Sequence, residues 1–480
     1  MDQSKVNDTS GNAGPEPGRL KGSQAVTFVL MLASFATSFA GSSLNVSIVS
    51  IGADFPVPAA TLSWLVTAFG ICTVSLGLPM GRLGDLSSRR TLLKVGLVLF
   101  ILANLSAAFA PSMNFMIALR IIQGFGSACM MATNQAILVD AYPPQIRGRM
   151  LGFSTSAVYI GLATGPVVGG FITQNIGWRV VFLFIATLGA LALLFSLGRL
   201  PANSSRAESG SLVSQLDIPG MLLYSGGLAT LTWSLNKLPG NLTIYIVLCI
   251  GVSLLAGFVW WELRAPSPLL NMNIFKSGPS FILANLAAFM NYSATFAVTY
   301  LLSIYLQRIK GFGADISGIV LVTAPIMQAT VSMIAGRLSD SFAPHRLASI
   351  GCSLCATSLL SFVFVTPQSS MVHIFANLVL LGMGIGFFAS PNTNVVMNQV
   401  PRSDLGFASS FLGTMRSFGQ VTSMAVIAMI MTSFLHNQPI QQADPTTLAQ
   451  VMRICFIIFS VICVLGALTS MQQKGTKRQE

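Results

Sequence analysis

Residues 81–90 read Gly81-Arg82-Leu83-Gly84-Asp85-Leu86-Ser87-Ser88-Arg89-Arg90, and a near copy follows as Gly336-Arg337-Leu338-Ser339-Asp340, then His345-Arg346. The pairing does not stand alone. Gly124-x-Gly126 with Thr133-Asn134 recurs as Gly384-x-Gly386 with Thr393-Asn394, and Leu151-Gly152-Phe153 recurs as Leu405-Gly406-Phe407. Three recurrences in one order, at offsets of 254 to 260, mark an internal duplication. Each copy of the charged stretch interrupts an otherwise apolar chain, so the duplicated unit is a set of apolar segments joined by short polar loops.

Composition sets the medium. Hydrophobic residues make up 53% of the 480 and charged residues 8%, where a soluble globular chain carries about 25% charged. Mean hydropathy is +0.73. Such a chain cannot cover a water-facing surface and is too apolar for disorder, so it reads as an integral membrane protein with the lipid bilayer as its solvent. The net charge of +12 does not signal nucleic acid, which would require a basic face on a soluble fold.

A helix crossing the hydrocarbon needs about 20 apolar residues. Runs of that kind lie near 26–50, 60–80, 91–110, 114–139, 151–174, 179–198, 217–236, 241–261, 279–305, 315–335, 347–366, 371–398, 404–434 and 450–471. That is fourteen transmembrane helices, and the expected fold is an all-α integral membrane protein. With the N-terminus inside, nineteen of the 26 Lys and Arg fall in cytoplasmic segments, five outside and two within apolar runs. The bias places both termini in the cytoplasm. The duplication then divides the chain into two pseudo-symmetric six-helix bundles plus two inserted helices. Residues 1–24 are expected to be a disordered cytoplasmic tail, 25–200 the N-terminal bundle, 201–278 a linker with the inserted helices, 279–472 the C-terminal bundle and 473–480 a basic tail. Parallel halves of this kind build secondary transporters, with the substrate site between them near the midplane.

At these residues the chain resembles the major facilitator superfamily, and within it the fourteen-span drug:proton antiporter branch. Gly81 to Arg90 is similar to the family's signature loop, with Leu86 and Ser88 departing from its pattern. Arg120-x-x-Gln123-Gly124-x-Gly126 resembles the fourth-helix motif, and Gly161-x-x-x-Gly165-Pro166-x-x-Gly169-Gly170 the fifth-helix motif that marks exporters. Asp217-x-x-Gly220, and Glu262 with Pro268-Leu269-Leu270, resemble the flanks of the branch's extra helices. The resemblance implies a secondary active transporter of the cell membrane that exports amphipathic small molecules by alternating access in exchange for protons, acting as a monomer and without cofactor or metal. It also implies that Asp85, with Gly81, Arg89 and Arg90, latches the halves on the cytoplasmic side, with Asp340 as the second copy.

Two arginines carry the substrate question. Arg120 and Arg416 lie well inside apolar runs, where an ionisable group costs several kcal/mol unless it faces a wet cavity or finds partners. Arg120 either lines the central cavity or anchors to backbone carbonyls. No Asp or Glu falls in the middle of a run, and the first helix offers Ser42-Ser43-Leu44-Asn45-Val46 where many multidrug relatives carry an acid. Two arginines without a mid-span acid suit a neutral or anionic amphiphile better than a lipophilic cation, so the competing reading is an exporter or uniporter of one specific neutral or anionic metabolite. Gln123, Asn45, Asn134, Asn291, Tyr292 and Asn394 complete the expected pathway, and Asp54, Asp85 and Asp140 are the candidate proton carriers.

Other classes find no support. The three His, at 345, 373 and 436, are far apart, and neither a nucleophile motif nor a P-loop is present. A receptor has no need of duplicated halves with latch loops. The seven Cys sit in apolar runs and do not form a disulfide framework. No cleavable signal peptide is expected.

Overall fold

The computed structural model describes residues 17–142, 144–197, 217–265, 279–400, 405–435 and 438–473. Among them every regular element is helical: α1 (Pro17–Asp54), α2 (Ala59–Leu86), α3 (Arg89–Ala108), α4 (Met113–Ala141), α5 (Pro144–Asn175), α6 (Trp178–Ser196), α7 (Ile218–Leu235), α8 (Leu242–Glu262), α9 (Pro279–Thr295), α10 (Val298–Ile304), a π turn (Tyr305–Ile309), α11 (Ala314–Leu321), α12 (Thr323–Ser341), α13 (Pro344–Phe362), α14 (Met371–Asn398), α15 (Leu405–Leu435) and α16 (Pro445–Met471). Helix α1 begins at Pro17, ahead of the expected boundary at 24. Residues 1–16, 198–216, 266–278 and 474–480 lie outside the described residues, and with them most of the expected tails and both flanks of the linker.

Each of the fourteen apolar runs is helical, but twelve helices are long and apolar enough to cross a membrane. Ile218–Leu235 and Pro344–Phe362 are not among the twelve. The first is diluted by Gly220, Gly226, Gly227 and four Ser or Thr, the second by His345, Arg346 and a series of hydroxyl side chains. Short loops end in side-chain caps that satisfy the first free amides of the next helix. Ser88 accepts from Thr91 N, Ser112 from Phe115 N and Asp444 from Thr446 N. Gly177, at φ 121°, reverses the chain between α5 and α6 in a conformation that side-chain-bearing residues avoid.

Two runs are broken where the sequence suggested single helices. Between α9 and α10, Thr295 Oγ1 bonds back to Asn291 O (2.8 Å) and Ala297 N donates to Ser423 Oγ of α15 (3.2 Å). Hydroxyls here take over part of the backbone ladder. Between α11 and α12 the cause is Pro325, which has no amide to give to Leu321.

Packing repeats in order. In α1–α6 the strong partnerships are α1 with α5, α2 with α4, α3 with α4, α3 with α6 and α1 with α6. In the later helices they are α9 with α15, α12 with α14, α13 with α14, α13 with α16 and α9 with α16. The inserted α7 and α8 pair with each other, and α7 also touches α2 and α15. Asp217 holds the base of this hairpin by accepting from Gly220 N (3.0 Å) and Trp261 Nε1 (2.7 Å). A side chain at 220 would collide with the Asp217 carboxylate and with Glu262, 3.0 Å away, which gives the Asp-x-x-Gly spacing a local physical reason.

Between the two sets, α15 runs along α2 and α11 along α5. Hydrogen bonds crossing from one set to the other gather at the end of the bundle that carries Asp54. There Gln307 Nε2 donates to Val46 O (2.9 Å), Gln441 Nε2 to Val49 O (3.2 Å), Ala314 N to Gln174 Oε1 (2.9 Å) and Ala59 N to Gln438 O (3.2 Å). Near the other end, which carries Asp85, Ser409 Oγ reaches Gln135 Oε1 at 3.4 Å.

Candidate functional site

Arg120 is 2% exposed. Its Nε donates to Leu65 O of α2 (2.6 Å), a terminal nitrogen donates to Gln123 Oε1, and Phe69 lies under the guanidinium at 4.6 Å. Gln123 Nε2 in turn donates to Asn104 Oδ1 (3.0 Å) and Asn104 Nδ2 to Phe100 O (2.7 Å). The relay ties α4 to α2 and α3 and spends the charge on dipoles and a ring face. Of the two readings open at the sequence level, the anchor describes this geometry, because Leu65 O faces the side chain at hydrogen-bond distance. Arg120 and Gln123 point into the first six helices.

Arg416 is held differently. It is half-buried on α15, about 16 Å along the axis from Leu405 at ~1.5 Å per residue. One terminal nitrogen donates to Thr393 Oγ1 of α14 (2.5 Å), the guanidinium stands 5.7 Å over the Tyr292 ring of α9, and Nε is buried with no partner. Tyr159 of α5, across from these helices, lies within electrostatic range of Tyr292. Beside them Phe289 and Phe418 stack at 5.1 Å. Gly419 permits the approach: a Cβ there would stand 2.6 Å from Phe289 O and 3.1 Å from the Tyr292 Cβ. The site thus joins α5, α9, α14 and α15 around one cation and several rings.

The expected asparagines divide. Asn134 Nδ2 donates to Leu30 O (3.1 Å) and Ser34 Oγ (2.5 Å), fastening α4 to α1. Asn291 is fully buried, and its amide meets Cys352 Sγ at 3.5 Å and Cys463 Sγ at 4.0 Å inside the later helices, turned away from Arg416 on the neighbouring Tyr292. Asn394 donates to Ser339 Oγ at 2.5 Å. Asn45 is 6% exposed with Oδ1 unpartnered. Of the expected pathway residues, Arg120 and Gln123 pair within the first set, and only Tyr292 and Arg416 come together at the group that faces Tyr159. Tyr159 and Thr393 complete that group and were missed as site residues. Thr393 stood in a recurring Thr-Asn pair, whereas nothing in the spacing of Tyr159 distinguished it.

At the Asp85 end, Arg89 Nε and a terminal nitrogen donate to Asp85 Oδ1 at 3.1 and 2.6 Å, and Arg89 also pairs with Asp140. All three belong to the first six helices. Among the described residues the ion pairs of Asp85, Arg89 and Asp140 stay within the first set, because α2, α3 and α4 bring these charges into mutual reach. Arg90 forms no ion pair among the described residues, and a side chain added at Gly81 would meet open space. The side chain of Asp340 lies outside the described residues. In the second copy, burial and then neighbouring Arg346 lower the pKa of His345. Asp54, the outer candidate proton carrier, accepts from Trp178 Nε1 (2.9 Å) and Arg179 (2.6 Å).

The fifth-helix glycines are contact points. A Cβ at Gly161 would stand 2.7 Å from Phe35 O, those at Gly165 and Gly169 would press on Ser42 and Ser43 of α1, and one at Gly170 on Ala314 O. Gly318 of α11 answers by seating on Pro166 O. Small residues here let three helix backbones touch. Among the described residues no cluster of three or more His, Cys, Asp or Glu could hold a metal, and all seven Cys are free thiols.

Comparison with known proteins gives this geometry its context. The riboflavin transporter RibZ of Clostridioides difficile is 27% identical over 417 residues, which covers 86% of this chain and 89% of that one. The multidrug resistance protein Stp of Mycobacterium tuberculosis is 25% identical over 397 residues, 82% of this chain and 73% of that one. Among solved structures, a bacterial homologue of the human lysosomal transporter Spinster, inward-facing and unoccupied, superposes with a TM-score of 0.69 at 15% identity, over 96% of this chain and all of that one. The family profile described as Major Facilitator Superfamily matches residues 30–424 and, again, 284–477. With its duplicated helical packing and this family match, the chain is a multi-pass membrane transporter, not an enzyme, and belongs to the major facilitator superfamily.

Proposed function

We propose that the protein exports amphipathic small molecules across the cell membrane by alternating access, in exchange for protons. In this reading the chain crosses the bilayer fourteen times, with 25–200 and 279–472 as the moving bundles, 201–278 as the insert and both termini in the cytoplasm. The observation that carries it is the asymmetry between the ends: the bonds from Gln307, Gln441, Ala314 and Ala59 close the Asp54 end, while near the Asp85 end the bond between the sets is Ser409 to Gln135 at 3.4 Å. Relatives named for multidrug resistance, such as Stp, support export. The Asp85–Arg89–Asp140 cluster is the proton-exchange candidate at the cytoplasmic end, because either carboxylate can take a proton while Arg89 keeps the other. The protein works as a monomer.

A second reading, export of one specific neutral or anionic metabolite, is favoured by the lack of a mid-span acid and by the uncompensated Arg416. A relative named for riboflavin transport agrees with it. Proteoliposomes with an imposed pH gradient separate the two when offered a lipophilic cation, a neutral drug and an organic anion. Gradient-driven movement of several chemically distinct compounds is expected. Movement that ignores the gradient removes proton exchange, and movement of one compound alone selects the second reading.

A further inference from the structure

Buried arginines in this chain come in two kinds. Arg120 has its donors taken up by Leu65 O and Gln123 Oε1 and its face covered by Phe69. Arg416 has five N–H donors, of which Thr393 takes one, and its buried Nε has no acceptor. No carboxylate lies within ion-pair distance of Arg416 among the described residues; the ion pairs found there involve Arg89 and Arg179. A cation at this depth with one neutral bond and one ring is under-compensated, whereas a carboxylate placed against Nε and a terminal nitrogen would form the paired hydrogen bonds that guanidinium geometry favours. A Cβ on Gly413, one turn before Arg416, would meet nothing within 4 Å, so the helix face on that side is not crowded.

The surroundings specify the rest of the ligand. Tyr292 lies beneath the guanidinium, and the stacked Phe289 and Phe418 adjoin. Flat aromatic surface stacks favourably on such rings. A lipophilic cation would bring a second positive charge to a site that already has one unbalanced.

Building on the export reading, we infer that the transported class is a flat aromatic amphiphile bearing one carboxylate or comparable delocalised anion, recognised by Arg416, and that Arg120 takes no direct part in binding. The ring of Tyr292, with Phe289 and Phe418 beside it, holds its aromatic face.

The test uses the full chain in nanodiscs and matched probes: naphthoate, the neutral naphthamide and the cationic naphthylmethylammonium. Naphthoate is expected to bind about tenfold or more tighter than naphthamide, in line with a hydrogen-bonded charge pair. Arg416→Gln should reduce that ratio to about one while leaving naphthamide affinity within about threefold, and Arg416→Lys should retain part of the preference. The lysine variant, which keeps the charge, guards against a glutamine variant that does not fold. Equal affinity for acid and amide in the unmodified protein, preference for the amine, or a preference that survives Arg416→Gln overturns the assignment. Transport in proteoliposomes distinguishes the two levels. If naphthamide moves and naphthoate has no advantage, the anion assignment falls and export stands. If none of the three binds or moves, the anion assignment falls, and export is judged separately by the pH-gradient assay with the lipophilic cation and the neutral drug.

Discussion

Two arginines of identical chemistry have opposite relations to stability, and the difference lies in what surrounds each guanidinium. Removing the Arg120 side chain strands Gln123 Oε1 and loosens the relay to Asn104 and Phe100 O. A buried polar group left unpaired costs about 1–3 kcal/mol, so Arg120→Ala should lower thermal stability of the purified protein by that amount or more, with the cavity it leaves adding to the loss. Arg416→Ala should leave thermal stability within about 1 kcal/mol, because it removes a cation that the fold does not compensate. Thermal unfolding of both variants in one detergent checks the contrast; a larger loss at Arg416 than at Arg120 would make Arg416 the anchor and Arg120 the free cation. The sequence placed both residues at membrane depth, since the surrounding apolar runs reveal depth. It could not say which would find a carbonyl, because Leu65 O meets Arg120 only after α2 packs on α4. The same holds for Asn291, whose partners Cys352 and Cys463 are 61 and 172 residues away in the chain.

At the scale of elements, the fifth helix and the glutamines at the Asp54 end do complementary work. Gly165 and Gly169 bring α5 against Ser42 and Ser43 of α1, and Gly318 brings α11 against Pro166 O. Gly318→Ala sets a methyl against a backbone carbonyl that cannot rotate away, so it should cost about 1–3 kcal/mol as overpacking does and loosen the α5–α11 contact first. Gln307 and Gln441 close the same end through bonds to Val46 O and Val49 O. Each such bond contributes about 1 kcal/mol net, so Gln307→Ala with Gln441→Ala should shift the balance toward opening at that end by about tenfold or more. Distances between spin labels on α1 and α15 at the Asp54 end would report it, and an unchanged distribution would show that helix packing alone keeps this end shut. Because both bonds join neutral groups, the shift should be insensitive to salt. Helix positions at this scale were legible in the apolar runs, and the glycine spacing pointed to close packing. The breaks at Thr295–Val298 and before Pro325 were less so, since a hydroxyl on another helix takes part in the first and only the Pro announces the second.

Across the whole molecule, the inserted hairpin has two attachments of unequal strength. To the first six helices it is bonded by Ser225 Oγ to Ser75 O (2.8 Å) and by Thr67 Oγ1 to Asn236 Oδ1 (3.3 Å). Its apolar cluster of Tyr224, Leu228 and Phe258 packs on both Val74 of α2 and Val421 of α15, with Phe418 beside them, and toward α15 the Tyr224 hydroxyl reaches Thr414 Oγ1 only at 3.4 Å, as it reaches Val74 O of α2. When the α2–α15 seam moves, the weaker contact yields, so α7 and α8 should travel with the first bundle and slide over α15. Leu228→Ala would remove part of that sliding surface without touching the bonds to Ser75 or Thr67. Truncating a buried Leu costs about 2–5 kcal/mol where the site cannot collapse, and the part of the lost contact that involves Val421 of α15 exists only while α15 is seated, so that part of the cost should appear as a population shift toward the state in which α15 has moved. Labels on α7 and α15 should then separate more often in Leu228→Ala than in the unmodified chain, while labels on α7 and α2 stay at one distance. A hairpin that instead kept its distance to α15 and parted from α2 would belong to the second bundle, and the Ser225–Ser75 bond would be the one that breaks in each transport cycle.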